Sequence, residues 1–474
     1  MVKLVAIGDS LTQGFQSGAI FHTDRSFPVM IARSIGLNIE QDFLVPKFPG
    51  SGLPLNIEAA LRYMEQELGQ DINLFEWITK FPSLFGKFTD QTETIYETGV
   101  GSQPVNFTGV YHNLGIWGFR VIDTLTVNAN YCQMAITASP GSNGNGIFQL
   151  PSVPMYRTAL RVLNPQLQSE RMAWTQIDNL EYLVATEGVE NIIIWLGAND
   201  CLGTVLDLKL KDMLEDMPSN DSLERREFNL THPDTFKRDY ESMVAKVKDI
   251  IPPSTQVFVG TIPLVTIPPV TQGINNFEDG YFDYYARFFA DADNFSSTLQ
   301  SHLTREEAIL IDRRIDLFNE IIRNSCKLGG DNWHVVEIGE VLQSLSIKRQ
   351  KMLGKEDEVL KRYYQNRPDH PLLQLTPLPN TLRFSSFNNK RLSGGLFSLD
   401  GVHPTSVGYG IIAEAYLAVM NQVGVANADV LNLDWERIIS TDRLFTDPPL
   451  LWDDIVRAAQ NNATLWDLLF KALV

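Results

Sequence analysis

Five residues of this chain have the types needed for acyl transfer, and each stands where an apolar run gives way to a turn. Ser10 follows Val2, Leu4, Val5, Ala6 and Ile7 through Gly8-Asp9. Gly118 closes the apolar segment 111–117, Asn199 comes just after the run 191–196, and Asp400 and His403 lie three apart ahead of a C-terminal helix. A hydroxyl is a poor nucleophile until a base removes its proton, and the base needs an orienting acid. Asp-x-x-His in a turn can bring a carboxylate to one imidazole nitrogen and leave the other free as a base. The oxyanion of a tetrahedral intermediate also needs donors placed in advance. Taken singly, each residue has a plainer reading: Ser10 as a helix cap, Gly118 as a turn glycine, Asn199 as a turn former, Asp400 and His403 as a surface pair. Together they are the parts that a serine esterase requires.

The elements that must position them alternate between strand and helix. Residues 2–7, 111–117, 191–196, 256–262 and 333–338 read as buried strands, each a short apolar run. Helices are expected over 27–35, 166–187, 236–251 and 304–327, the last opened by a Thr304 to Glu307 capping box, and from about 405 to 423. In an open α/β sheet, ligands bind outside the carboxyl ends of the strands, which is where Ser10 and Asn199 would lie.

Composition excludes several classes of function. With 57 acidic against 39 basic side chains the chain carries −18, so phosphate backbones and anionic membranes are poor partners. Lys348, Arg349, Lys351, Lys355, Lys361 and Arg362 read as a solvated helix face with acidic residues interleaved. Cys132, Cys201 and Cys326 are too scattered for a disulfide framework or a thiolate zinc site. Residues 113–118 lack the Gly-x-Gly-x-x-Gly pattern, and 291–294 lack the later ligands of a calcium loop, leaving a solvated acidic turn. No run reaches the roughly 18 apolar residues of a spanning helix, and the N-terminus does not read as a signal peptide. A cytoplasmic protein is the expectation.

The ordered blocks resemble the SGNH hydrolases, also called GDSL-type lipases and esterases. Gly8-Asp9-Ser10-Leu11 is similar to the first block of that family, 113–118 to the second, Gly197-Ala198-Asn199-Asp200 to the third and Asp400-Gly401-Val402-His403-Pro404 to the fifth. The resemblance implies Ser10 as nucleophile, His403 as base with Asp400 as its partner, and an oxyanion hole made by Ser10, Gly118 and Asn199. It implies a flavodoxin-like three-layer α/β/α sandwich with about five parallel strands, with no metal or organic cofactor. The Gly-x-Ser-x-Gly elbow of the other large esterase class is absent around Ser10.

The spans from Ser10 to Gly118 and from Asn199 to Asp400 exceed what a strand, a helix and loops need. A single domain over 1–426 is therefore expected to carry insertions at about 38–107, 263–303 and 342–395, the first with its own short helices. A helical extension, 427–474, should pack on the body. The expected substrate is a small-molecule or lipid acyl ester, and the aromatic-rich insertions lean towards an apolar acyl group. A carbohydrate O-acetyl esterase and a catalytically silent binding protein are the alternatives.

Overall fold

Alternate residues of each central strand enter different cores. In β1 (Val2–Gly8), Leu4 and Ala6 join one apolar cluster while Val5 and Ile7 join another. In β2 (Val189–Trp195), Ile193 and Trp195 go with the first pair and Ile192 and Ile194 with the second. Phe258 is likewise divided from Val257 and Val259 in β3 (Gln256–Gly260). Strand side chains alternate between faces, so two cores mean a sheet covered on both sides, which is why these strands are almost wholly apolar. With β4 (Trp333–Val336) they pair in parallel in the order β1-β2-β3-β4.

This computed structural model describes residues 2–69, 74–139, 150–218, 222–350, 354–450 and 452–460. The helices that flank the sheet are α2 (Phe27–Ser34), which follows the single turn α1 (Ser10–Gln13), then α3 (Gln176–Thr186), α4 (Pro233–Ile250), α5 (Arg305–Gly329) and α6 (Ser406–Gln422). Phe27 and Ile31 of α2 and Ile412 and Tyr416 of α6 share a cluster with Leu4 and Trp195. Leu180 of α3, Met243 of α4 and Ile315 of α5 lie with Val5 and Ile194 on the other face. The result is the expected three-layer α/β/α arrangement. The Thr304 capping box is present, its hydroxyl accepting from Glu307 N–H while Glu307 accepts from Thr304 N–H.

Several expectations are corrected. Residues 111–117 are not a regular strand. They run along the free edge of β1, with Ala6 N–H donating to the His112 carbonyl and Leu114 N–H to that of Ala6, both at 2.8 Å, but form one isolated bridge, Ala6 to Asn113. The Asn113 side chain bends the segment by accepting from Gly115 N–H and donating to the Thr12 carbonyl. The helix expected over 166–187 is confined to α3. In the first insertion the helix Ile57–Leu68 is followed by Leu74–Glu97, which at 24 residues is not short, and Phe85 and Phe88 join the main core rather than a local one. Residues 263–303 contain the strands Thr271–Glu278 and Tyr281–Arg287, which with His302–Thr304 form an antiparallel sheet. Asp279 and Gly280, both at positive φ, form the tight turn between the two strands, a pair that favours a two-residue hairpin loop.

In the tail, Trp435–Thr441, Arg443–Thr446 and Trp452–Gln460 are helical. Trp452 is buried and its indole N–H donates to the Phe384 carbonyl at 2.8 Å. The apolar stripe through Leu465, Leu468 and Leu469, and the loop expected over 139–146 beyond its first residue, lie outside the described residues.

Of the basic residues expected on a solvated face, Lys355, Lys361 and Arg362 are exposed, Lys351 lies outside the described residues, and Lys348 and Arg349 depart from the expectation. The Lys348 ammonium is turned inward, donating to the carbonyls of Thr266 at 2.9 Å, Pro268 at 3.1 Å and Thr271 at 2.6 Å, and burial pushes its pKa down to about 7. Arg349 stacks 3.9 Å from the Tyr281 ring centroid and pairs with Asp312. By gathering three carbonyls on one ammonium, the lysine serves as the centre of the 266–271 loop. Replacing Lys348 by Met should cost about 1–3 kcal/mol, the penalty for leaving buried acceptors unpaired. A lower urea midpoint at unchanged slope is the expected result, and an unchanged midpoint would contradict this role.

Candidate active site

The site lies at the carboxyl end of the sheet. At Gly8 an added Cβ would come within 2.7 Å of the Trp195 carbonyl oxygen and closer still to Thr12 Oγ1, so glycine alone lets β1 turn directly into α1. Asp9 caps that turn, its Oδ1 accepting from Leu11 N–H at 3.0 Å. The capping task thus falls to Asp9, and Ser10 opens α1 with only 5% of its surface exposed.

Asp400 and His403 arrive from the other end of the chain. Asp400 Oδ1 accepts from the N–H groups of Val402 and His403, each at 2.8 Å, while Oδ2 faces His403 Nδ1 at 3.1 Å. Gly18 N–H, in the loop after α1, donates to the same Oδ2 at 2.8 Å. Burial works against ionisation, but the neighbouring imidazole and these hydrogen bonds prevail and hold the carboxyl below its ordinary pKa. The Phe15 ring packs on His403 with centroids 4.3 Å apart, and the Phe15 carbonyl is fixed by Tyr409 Oη at 2.7 Å.

Gly118 sits in a turn with φ +76, a conformation that suits glycine. Gln13 of α1 ties this turn to the Ser10 side of the cavity by accepting from Trp117 N–H at 2.9 Å. Asn199, in the turn after β2, donates through Nδ2 to the Phe119 carbonyl at 3.0 Å, which spends one of its two amide hydrogens and leaves the other. The adjacent Asp200 accepts from Thr231 Oγ1 at 2.9 Å and Val121 N–H at 3.3 Å, joining the turns of Asn199 and Gly118.

Ser10, Gly118, Asn199 and His403 line one cavity of 420 Å³, and Asp400 stands behind His403. Every residue singled out from the sequence is therefore brought to one place. The sequence did not single out the wall built by Phe15, Leu202, Leu206 and residues 150–156, or Arg226, which lies in a charged stretch with no periodic signal. A cavity of this kind, with a hydroxyl, an acid-oriented imidazole and several N–H donors at the edge of a parallel sheet, fits an acylhydrolase. The chain belongs to the GDSL-like lipase/acylhydrolase family, whose model matches residues 4–416, and is a hydrolase acting on ester bonds. Comparison with curated proteins and with solved structures finds no match. Among the described residues, no helix is long and apolar enough to cross a membrane, and no three His, Cys, Asp or Glu side chains are grouped to hold a metal ion.

Asp9 offers a measurable electrostatic signature. Burial pushes its carboxyl up to about 7. Between the unfolded value near 4 and this value, the folded state keeps a proton that the unfolded chain has released, so stability contributed by Asp9 falls as pH rises through that window. Asp9→Asn retains an acceptor for Leu11 N–H but cannot titrate. Urea midpoints from pH 4.5 to 7.5 should fall more steeply for the wild type than for this variant, and identical slopes would contradict the burial argument.

Proposed function

We propose that the chain hydrolyses small carboxylic esters through an acyl-enzyme on Ser10. His403 removes the Ser10 proton as the hydroxyl oxygen attacks the ester carbonyl, and Asp400 holds the imidazole tautomer and balances its positive charge. The N–H groups of Ser10 and Gly118 and the remaining amide hydrogen of Asn199 receive the oxyanion. The tetrahedral intermediate collapses, the alcohol leaves with the proton from His403, and water repeats the sequence to release the acid and restore Ser10.

The observation that carries this reading is the convergence of Ser10, Gly118, Asn199 and His403 on one cavity, with Asp400 hydrogen-bonded to the far side of the imidazole. Phe15, Trp117, Leu202 and Leu206 give that cavity a largely apolar wall, which supports an aliphatic body in the substrate over a sugar acetate. The catalytic unit is read as one domain over 1–426, with 427–474 as an extension. Its support is that the four strands of the central sheet and all site residues come from the first span, while Trp435, Ile438, Trp452 and Ile455 of the second pack onto its cores.

Ser10→Ala should abolish turnover of p-nitrophenyl esters, and Asn199→Ala should lower kcat on the order of 10²- to 10³-fold, the usual loss of one oxyanion donor. A Ser10→Ala variant with wild-type turnover would overturn the assignment. A series of p-nitrophenyl esters with increasing acyl length should favour butyryl or longer chains over acetyl. A preference for acetyl would favour the carbohydrate esterase instead.

A further inference from the structure

The cavity that holds Ser10 differs in charge from the chain around it. The protein carries −18, yet among the described residues the cavity wall includes Arg120, Arg226 and His403 and no aspartate or glutamate. The two arginines are not equivalent. Arg120 is buried and holds two main-chain acceptors at short range, donating to the carbonyls of Arg225 at 2.8 Å and Phe228 at 2.6 Å.

Arg226 has one good partner, Asp123 Oδ2 at 2.5 Å, and that oxygen also accepts from Arg120 N–H at 2.8 Å. Its two contacts to the Gly118 carbonyl are both 3.4 Å, beyond the usual range of about 2.7–3.2 Å, and its buried Nε has no hydrogen-bond partner among the described residues. A guanidinium carries five N–H donors, so much of this one's capacity is unspent. About a quarter of the side chain is exposed, 26%, whereas Asp123 behind it is fully buried. Tyr156 stands on the same wall, and its hydroxyl is close enough to Arg226 to contribute both charge and a weak hydrogen bond. Ion pairing with Asp123 also opposes the effect of burial and keeps the guanidinium charged.

We propose that Arg226 is a specificity-determining residue that selects esters bearing a carboxylate near the scissile bond. This rests on the ester-hydrolase reading above. The apolar wall takes the aliphatic body of the substrate, and the guanidinium, next to the Gly118 turn, takes the anionic end by charge-assisted hydrogen bonds. Planar two-pronged donation is what arginine offers a carboxylate and lysine does not. The carboxylate could belong to the acyl part or to the alcohol part, so the test has an arm for each.

For the acyl arm, kcat/KM is measured for monoethyl adipate and for ethyl hexanoate. For the alcohol arm, the acetyl ester of hydroxybutyrate is compared with butyl acetate. The wild type should prefer the carboxylated member in one arm, and Arg226→Met should lower that preference ratio by about 10-fold or more, as expected for a lost hydrogen bond to a charged group. Because Met leaves buried Asp123 without its cation, Arg226→Lys serves as the second variant: it keeps the charge, loses the fork and should also lower the ratio. No wild-type preference in either arm, or equal losses on charged and neutral esters, would overturn the proposal and leave Arg226 as a brace for the Gly118 turn. Loss of neutral-ester turnover in Ser10→Ala secures the hydrolase reading independently of that outcome.

Discussion

The site depends on the hydrogen bonds made by one buried carboxylate. Asp400 holds its own turn through the N–H groups of Val402 and His403, orients the imidazole through Oδ2, and takes the N–H of Gly18 from the loop that follows α1. The last bond closes a separation of 382 residues. It is reinforced by Ser17 N–H donating to Ser398 Oγ at 2.8 Å. A carboxylate that satisfies four donors inside the protein resists displacement because each donor would otherwise lose its only buried acceptor. The same contacts that fix the tautomer of His403 therefore fix the distance between the two ends of the chain.

Around this centre, buried acids do structural work that leaves the donors of the cavity pointing inward. Asp9 caps α1, Asp200 joins the Asn199 and Gly118 turns, and Asp123 accepts from the Arg120 backbone and from the Arg226 side chain. Each carboxylate lies behind the wall, and the wall itself presents hydroxyl, amide, imidazole and guanidinium groups. An acidic chain can thus offer an electropositive recess, because local placement of charge decides the potential in a cleft more than the net charge does.

What could be read from sequence follows the range of the interactions involved. Ser10 and Asn199 each come directly after a strand that is apolar on both faces, so local pattern was enough to place them at the sheet edge. Gly118 was placed correctly although 111–117 is only a bent edge segment, because its hydrogen bonds to β1 set its position without a full ladder. Lys348 was misread because its charged neighbours suggest solvent, whereas its acceptors come from 266–271, remote in sequence. Arg226 was invisible for the same reason: its partners Asp123 and Gly118 lie in another segment. The inserted hairpin has a local signal in Asp279-Gly280, but its strands, TQGINNFE and YFDYYAR, lack the strict alternation that marks a strand in sequence.

If Ser10 is a nucleophile activated by His403, it should react covalently with electrophiles that trap activated serines. The protein is treated with a serine-directed organophosphorus probe and the adduct is mapped by mass spectrometry, in the wild type, Ser10→Ala and His403→Gln. The account predicts one adduct, on Ser10, absent from Ser10→Ala and formed much more slowly in His403→Gln. A wild type that gains no mass, or labelling that persists at another serine when Ser10 is removed, would contradict it.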